Sequence, residues 1–146
     1  MKAFLAYTSD RLTVGVEFFQ QIQENYSVYV EPSPSTKVDT TDIVVMGYGG
    51  FMRGTILKDK LNFFARYDWY SPDTKYRDDN AYLPGYTAYN IENFATAGLD
   101  YTPVKNVHII PNIWYDSYSS RIKNIKGLAK DDNDLVFRLT FHYIFK

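Results

Sequence analysis

The residues Leu135–Lys146 read Leu-Val-Phe-Arg-Leu-Thr-Phe-His-Tyr-Ile-Phe-Lys. Every odd position from 135 to 145 is aliphatic or aromatic, whereas the even positions include Arg138, Thr140 and His142. Such a two-residue period predicts a β-strand whose side chains alternate between two different faces. A strand of about eleven residues with one wholly apolar face has the length and pattern of a transmembrane β-strand.

The same alternation recurs along the chain and predicts about seven strands. Their approximate ranges are 2–8, 12–21, 42–53, 61–70, 93–101, 107–118 and 135–146. The third is rich in glycine, which leaves its phase ambiguous. The connections alternate between short turns and long polar stretches at about 24–41, 71–89 and 119–133. Outer-membrane barrels alternate short periplasmic turns with longer external loops in this way. The predicted fold class is therefore an all-β, antiparallel, up-and-down transmembrane barrel, or the C-terminal portion of one, with seven to eight strands in this chain.

An odd number of strands has three explanations, because bacterial single-chain barrels use even numbers. The prediction is wrong by one strand, the chain is the C-terminal part of a larger barrel, or several copies pool their strands. We favour the second explanation, because Met1 leads directly into a strand and no secretory signal precedes it.

Composition narrows the class of protein. With 146 residues, a single domain over 1–146 is expected. A net charge of −1 gives no bulk attraction to nucleic acid, and the absence of Cys excludes disulfides and thiolate chemistry. Aromatic residues make up 18% of the chain, which suits the interfacial girdles of membrane barrels as well as soluble lipid-binding barrels. No apolar run approaches the roughly 18 residues of a membrane helix.

Four segments carry a family resemblance: Leu61–Tyr70, Ala97–Pro103, Val107–Asn112 and Leu139–Phe145. Through them the chain resembles the C-terminal half of Gram-negative porin-like proteins, and is similar to phosphate-selective porins and their relatives in Bacteroidetes-like bacteria. The resemblance implies a water-filled pore for small solutes, an outer-membrane location and often a homotrimer. The closing aromatics resemble the signal read by the barrel-insertion machinery, although Lys146 follows Phe145. There is no ladder of Arg and Lys that would carry phosphate selectivity to this chain.

Charged and polar residues on the non-apolar faces are the candidate site. In a pore they would line the lumen and shape the field that acts on passing ions; otherwise they are ion pairs that brace the wall. The candidate pore-lining residues are Arg66, Asp68, Asp100, His108, Asn112, Asp116, Arg138 and His142.

Some local clusters of residues could bind a metal ion, but we expect no metal site and no catalysis from them. If Asp100 lies opposite His108, and Asp116 opposite Asp134, then both histidines and one carboxylate meet near the short-turn rim. Two His and a carboxylate can ligate a transition metal, yet a hydrogen-bonded cluster is the expected outcome, with no metal and no cofactor. Two Asp-Asp-Asn stretches, at 78–80 and 131–133, could hold Ca²⁺ but match no EF-hand loop. No catalytic motif is present, so we expect no enzyme.

The sequence therefore predicts a passive outer-membrane channel for small polar solutes or ions, in contact with outer-membrane lipid. Two alternatives stay open. One is a soluble lipocalin-like barrel that binds an apolar ligand with its apolar faces turned inward. The other is a membrane barrel that anchors or displays its loops without conducting.

Overall fold

A computed structural model describes residues 1–30, 38–76, 80–82, 90–120 and 132–145. These residues form one β-sheet of eight strands and no helix. Seven strands are long. A short eighth strand, β5, comes between β4 and β6 in the chain but not in the sheet. The strands are β1 (Lys2–Thr8), β2 (Leu12–Val30), β3 (Val38–Leu57), β4 (Leu61–Ser71), β5 (Asn80–Tyr82), β6 (Asn90–Tyr101), β7 (Val107–Ser120) and β8 (Asp132–Tyr143).

The seven long strands follow one another in the sheet in chain order, and each neighbouring pair is antiparallel. This up-and-down order confirms the all-β, antiparallel prediction. The sheet is open: among the described residues, β1 pairs with β2 alone and β8 pairs with β7 alone. The short β5 pairs with Ser27–Tyr29 near the end of β2.

The three tight connections lie at one end of the sheet. They are 9–11, 58–60 and 102–106, and two of them contain a non-glycine residue with positive φ, Asp59 (60°) and Asn106 (69°). Asp and Asn tolerate this left-handed conformation better than other residues, which explains their place in these turns. Thr102 N–H donates to Lys60 O at 2.8 Å, so adjacent turns continue the ladder. We call this end the short-turn end, and the opposite one the long-loop end.

The strand registers divide the side chains into two faces. One row across the sheet runs Leu5, Val16, Gly50, Tyr67, Ala95, Tyr115 and Leu135; the adjacent row runs Phe4, Glu17, Gly49, Asp68, Phe94, Asp116 and Asp134. We call the first the apolar face and the second the charged face. Three rows of the apolar face cross all seven long strands, and none of their residues is Asp, Glu, Lys or Arg.

Strands β2 and β3 are longer than their patterns predicted. The polar tract expected to be a loop from about residue 24 to 41 instead continues β2 to Val30 and starts β3 at Val38. Between Gln23 and Ser27, β2 advances four residues while β3 advances two, from Ile43 to Thr41. Two extra residues of β2 therefore interrupt the regular pairing there. The expected loop at 71–89 likewise contains β5.

The largest buried side chains of the described residues cluster at the long-loop end of β3. Among the described residues, the buried hydrophobic side chains are Ile43, Val44 and Val45, with Ser71 and Asp73 as buried polar partners. Asp73 Oδ1 accepts from Val44 N–H at 3.3 Å and from Lys75 N–H at 2.9 Å. The segment after β4 therefore packs back on β3 through hydrogen bonds. Neither face of the sheet carries a comparable core.

Candidate functional site

The charged face holds all eight candidate pore-lining residues. Their strand partners show this directly, as Arg66 pairs with Thr96, Asn112 with Arg138, and His108 with His142. That this face lines a pore stays a prediction. The same face carries further charged residues that the candidate list did not include: Lys2, Glu17, Arg53, Glu92, Asp132 and Asp134.

A network of two ion pairs formed by three residues lies at the middle of the charged face. Arg66 on β4 donates from Nε to Asp68 Oδ2 at 2.6 Å, and its other end pairs with Glu17 on β2. The three side chains remain between 28% and 42% exposed, so water screens them and their contribution to stability is small. One guanidinium between two carboxylates leaves a net negative charge. Glu17, which completes this cluster, is not among the candidate residues predicted from the sequence.

Glycines allow this pairing across an intervening strand. Gly49 of β3 lies between Glu17 and Asp68 in the register, and a Cβ there would collide with the Asp68 carboxylate. The ring of Phe51 covers Gly15 in the same way, and its centroid lies 6.2 Å from that of Phe4, two strands away. Of the glycines that left the phase of β3 ambiguous in the sequence, Gly47 and Gly49 lie on the charged face, where they make room for the side chains of Phe19 and Asp68.

A histidine cluster occupies the short-turn end of this face. His108 Nδ1 lies 2.8 Å from Asp100 Oδ1, and the rings of His108 and His142 have centroids 5.7 Å apart. The predicted pairing of Asp116 with Asp134, and hence of the two histidines, is confirmed. The prediction that Asp100 lies directly opposite His108 is wrong. Because Tyr101 pairs with Ile109, Asp100 lies level with Ile110, two residues along β7 from His108. The contact between Asp100 and His108 is therefore diagonal.

Pro111 explains a gap in the ladder beside this cluster. The register between β6 and β7 is the same on both sides of it, but pairing is interrupted between Gly98–Asn112 and Tyr101–Ile109. Proline lacks the N–H that would pair there, so the strand is locally weakly paired without a bulge.

Arg138 is held against an aromatic ring. Its guanidinium carbon lies 4.2 Å from the centroid of Trp114, in cation–π geometry, and Asn112 is its direct strand partner. Stacking of this kind fixes a long, exposed side chain without neutralising its charge. Arg138 therefore presents its positive charge on β8, at the open edge of the sheet.

Acidic groups gather toward the long-loop end. Asp116 and Asp134 are directly paired on β7 and β8, and Glu92 lies one row further along on β6. Tyr118 donates its hydroxyl hydrogen to Asp116 Oδ2 at 3.0 Å. The other oxygen of Asp116 is buried without a hydrogen-bond partner. These closely spaced carboxylates give this end of the charged face a concentrated negative potential. Like charges at directly opposite strand positions also repel each other, which is unfavourable.

The apolar face carries a hollow instead of charges. It is open, has a volume of about 700 Å³, and is floored by Gly50, Ala65, Ala95 and Ala97. Larger side chains surround it, among them Leu5, Val14, Met52, Tyr7, Tyr67 and Tyr115. Small residues at the centre of the face and large ones around it create the depression.

The Ca²⁺ hypothesis lies largely outside the described residues, which include neither Asp78, Asp79 nor Asp131. Where side chains are described, no group of three or more His, Cys, Asp or Glu is placed to hold a metal ion. None of the described residues form a helix with the length and hydropathy needed to cross a bilayer.

Comparison with known proteins gives no relative: no family model, no curated protein and no solved structure matches the chain.

Proposed function

We propose that this chain forms the wall of a porin-like outer-membrane channel that passes small polar solutes or ions. In this proposal the apolar face contacts acyl chains and the charged face contacts water in the lumen. The protein supplies a wall and an electric field, and no reaction.

The observation that carries the proposal is the exposure of the apolar face. Phe137, Leu139 and Phe141 on β8 are 77%, 59% and 70% exposed, and Leu5 on β1 is 72% exposed. A large continuous apolar surface is costly in water and marks contact with lipid or with another protein. In a bilayer the same surface is favourable, because hydrocarbon replaces water around it.

Aromatic side chains at both ends of the apolar face support the same orientation. Tyr101 and Tyr143 lie at the short-turn end, whereas Tyr48 stacks on Trp69 toward the long-loop end with a centroid distance of 4.8 Å. Membrane barrels carry aromatic girdles of this kind at their two interfaces. Backbone groups inside a bilayer must all be paired, so the free edges of β1 and β8 require further strands. Those strands come from the same barrel or from other copies of the chain.

The test combines solubility with conductance. We expect the purified protein to require detergent, to show heat-modifiable mobility on gels, and to produce discrete conductance steps in a planar bilayer. Detergent dependence without conductance would contradict the channel and leave a barrel that anchors or displays its loops. A sharp monomer peak in size exclusion without detergent would contradict both membrane functions.

A second candidate is a soluble barrel that binds an apolar ligand, and the hollow of about 700 Å³ on the apolar face favours it. Its volume lies within the range of small-molecule pockets, about 300–1,000 Å³. This candidate requires the sheet to close with the apolar face inward. Saturable binding of a fluorescent fatty acid by detergent-free monomer would support it, and loss of that binding in Ala95→Trp, which fills the floor, would locate the ligand.

A further inference from the structure

The two histidines of the chain are direct strand partners on one face. His108 on β7 pairs with His142 on β8, and the centroids of their rings are 5.7 Å apart with planes inclined by 31°. Opposite residues of an antiparallel pair hold their Cβ atoms about 4.5–5.5 Å apart, so both rings project from nearly one point of the sheet.

This spacing is close to what a shared cation requires. With metal–nitrogen bonds of about 2.0–2.1 Å, two imidazole centroids lie about 4.5 Å apart at the right angle of a tetragonal Cu²⁺ site and about 5 Å apart at a tetrahedral angle. The observed distance is about 0.5–1.2 Å longer, a difference that rotation of these two solvent-accessible side chains removes. His142 is exposed, and His108 is 23% exposed, so solvent reaches both rings.

Asp100 prepares His108 for ligation. A carboxylate only accepts hydrogen bonds, so the 2.8 Å contact between His108 Nδ1 and Asp100 Oδ1 places the ring proton on Nδ1. The lone pair is then on Nε2. Metal-ligating histidines commonly donate their other N–H to a carboxylate in this way, which fixes the tautomer and raises the basicity of the ligand.

We propose that His108 and His142 form a transition-metal site, with Asp100 as the positioning residue and water completing the coordination shell. The site has two protein ligands, so it is distinct from the groups of three or more ligating side chains that the described residues lack. Imidazole nitrogen suits Cu²⁺, Ni²⁺ and Zn²⁺, and the expected order of affinity places Cu²⁺ first. The binding chemistry does not depend on the channel proposal.

Composition makes the test specific. The chain has two His and no Cys, so any imidazole bound to a metal must come from this pair. The protein is prepared without a polyhistidine tag and titrated with Cu²⁺ near neutral pH. Electron paramagnetic resonance is expected to show coupling to two imidazole nitrogens. The amine of Met1 is another nitrogen donor, so a sample with that amine blocked is measured alongside.

Variants separate ligands from neighbours. We expect His108→Asn and His142→Asn each to reduce Cu²⁺ affinity at least tenfold and to leave coupling to one imidazole. Asp100→Asn is expected to weaken binding about 10- to 100-fold while keeping two coupled nitrogens. Thr140→Asn, two residues from His142 on the same face, is the matched control and should bind as the unmodified chain does.

Either of two results would overturn the site. The first is Cu²⁺ affinity that is unchanged in the double variant His108→Asn/His142→Asn. The second is a spectrum of the unmodified chain with fewer than two imidazole nitrogens. Circular dichroism of each variant confirms that the sheet is retained, so that loss of binding is not loss of fold. Conductance measurements decide the channel separately, since a metal site survives in a barrel that does not conduct.

Discussion

The apolar and charged faces are made by the same strands, yet they differ in how their side chains are satisfied. On the charged face, Arg66 pairs with Asp68 and with Glu17 two strands away, and Phe51 lies flat over Gly15. On the apolar face, large side chains stand around a floor of small ones, and Tyr48 stacks on Trp69. The charged face therefore carries ion pairs between its own residues, whereas the apolar face exposes large hydrophobic side chains such as Phe137 and Phe141.

The largest expected effect comes from a charge on the apolar face. Leu139 and Thr140 are consecutive exposed residues of β8, on the apolar and the charged face respectively. In lipid vesicles, Leu139→Arg should lower the free energy of unfolding by about 2–4 kcal/mol, because arginine on a lipid-facing side near the midplane is costly. Thr140→Arg should change it by less than about 1 kcal/mol, since in the proposed orientation its side chain faces water. Urea unfolding in vesicles measures both, and equal effects would remove the distinction between the faces.

A smaller change in the free energy of unfolding is expected from replacing glycine by alanine on each face. A Cβ on Gly98 would lie 2.6 Å from Phe64 Cζ and 2.7 Å from Asn112 Cβ, whereas a Cβ on Gly50 would meet nothing closer than 3.7 Å. Gly98→Ala should therefore destabilise by about 1–3 kcal/mol through overpacking. Gly50→Ala should be neutral or stabilise by up to about 1 kcal/mol, because it restricts the unfolded chain. The same urea titrations test the pair, and the reverse order would contradict crowding on the charged face.

The smallest effect on stability, and the clearest effect on ion selectivity, is expected from replacing Arg66. Arg66→Gln removes an exposed ion pair and should cost less than about 1 kcal/mol. It leaves Glu17 and Asp68 unneutralised, so the reversal potential under a salt gradient should shift toward cations. Arg66→Lys keeps the charge and is the control. A selectivity unchanged by Arg66→Gln would contradict the placement of this face in the conducting path.

Alternation in the sequence predicted the strands that have it without interruption. β1, β4 and β8 end within a few residues of their predicted limits, and the pairing of the two histidines followed from the register expected for the last two strands. What alternation could not predict depends on backbone irregularity. The two extra residues of β2 after Gln23 interrupt its pairing with β3 before the far ends of both strands, and the register across the turn 102–106 places Asp100 level with Ile110 instead of His108.

Contacts between strands that are not neighbours were also beyond the sequence. Glu17 and Arg66 are 49 residues apart and lie on strands separated by β3, on which Gly49 occupies the register position between Glu17 and Asp68. A glycine within a strand signals a bend, a bulge or a close approach, and the sequence does not distinguish these. β5, a three-residue strand in a polar stretch, has too few residues to show a period.

The order of the strands sets a parity rule for whatever completes the sheet. Seven antiparallel neighbours in sequence leave β1 and β8 running in the same direction. Joining these two edges directly would create a parallel seam in an otherwise antiparallel cylinder. A wholly antiparallel cylinder instead demands an odd number of inserted strands, the first and last of which oppose β1 and β8, and the total then becomes even, as bacterial barrels require.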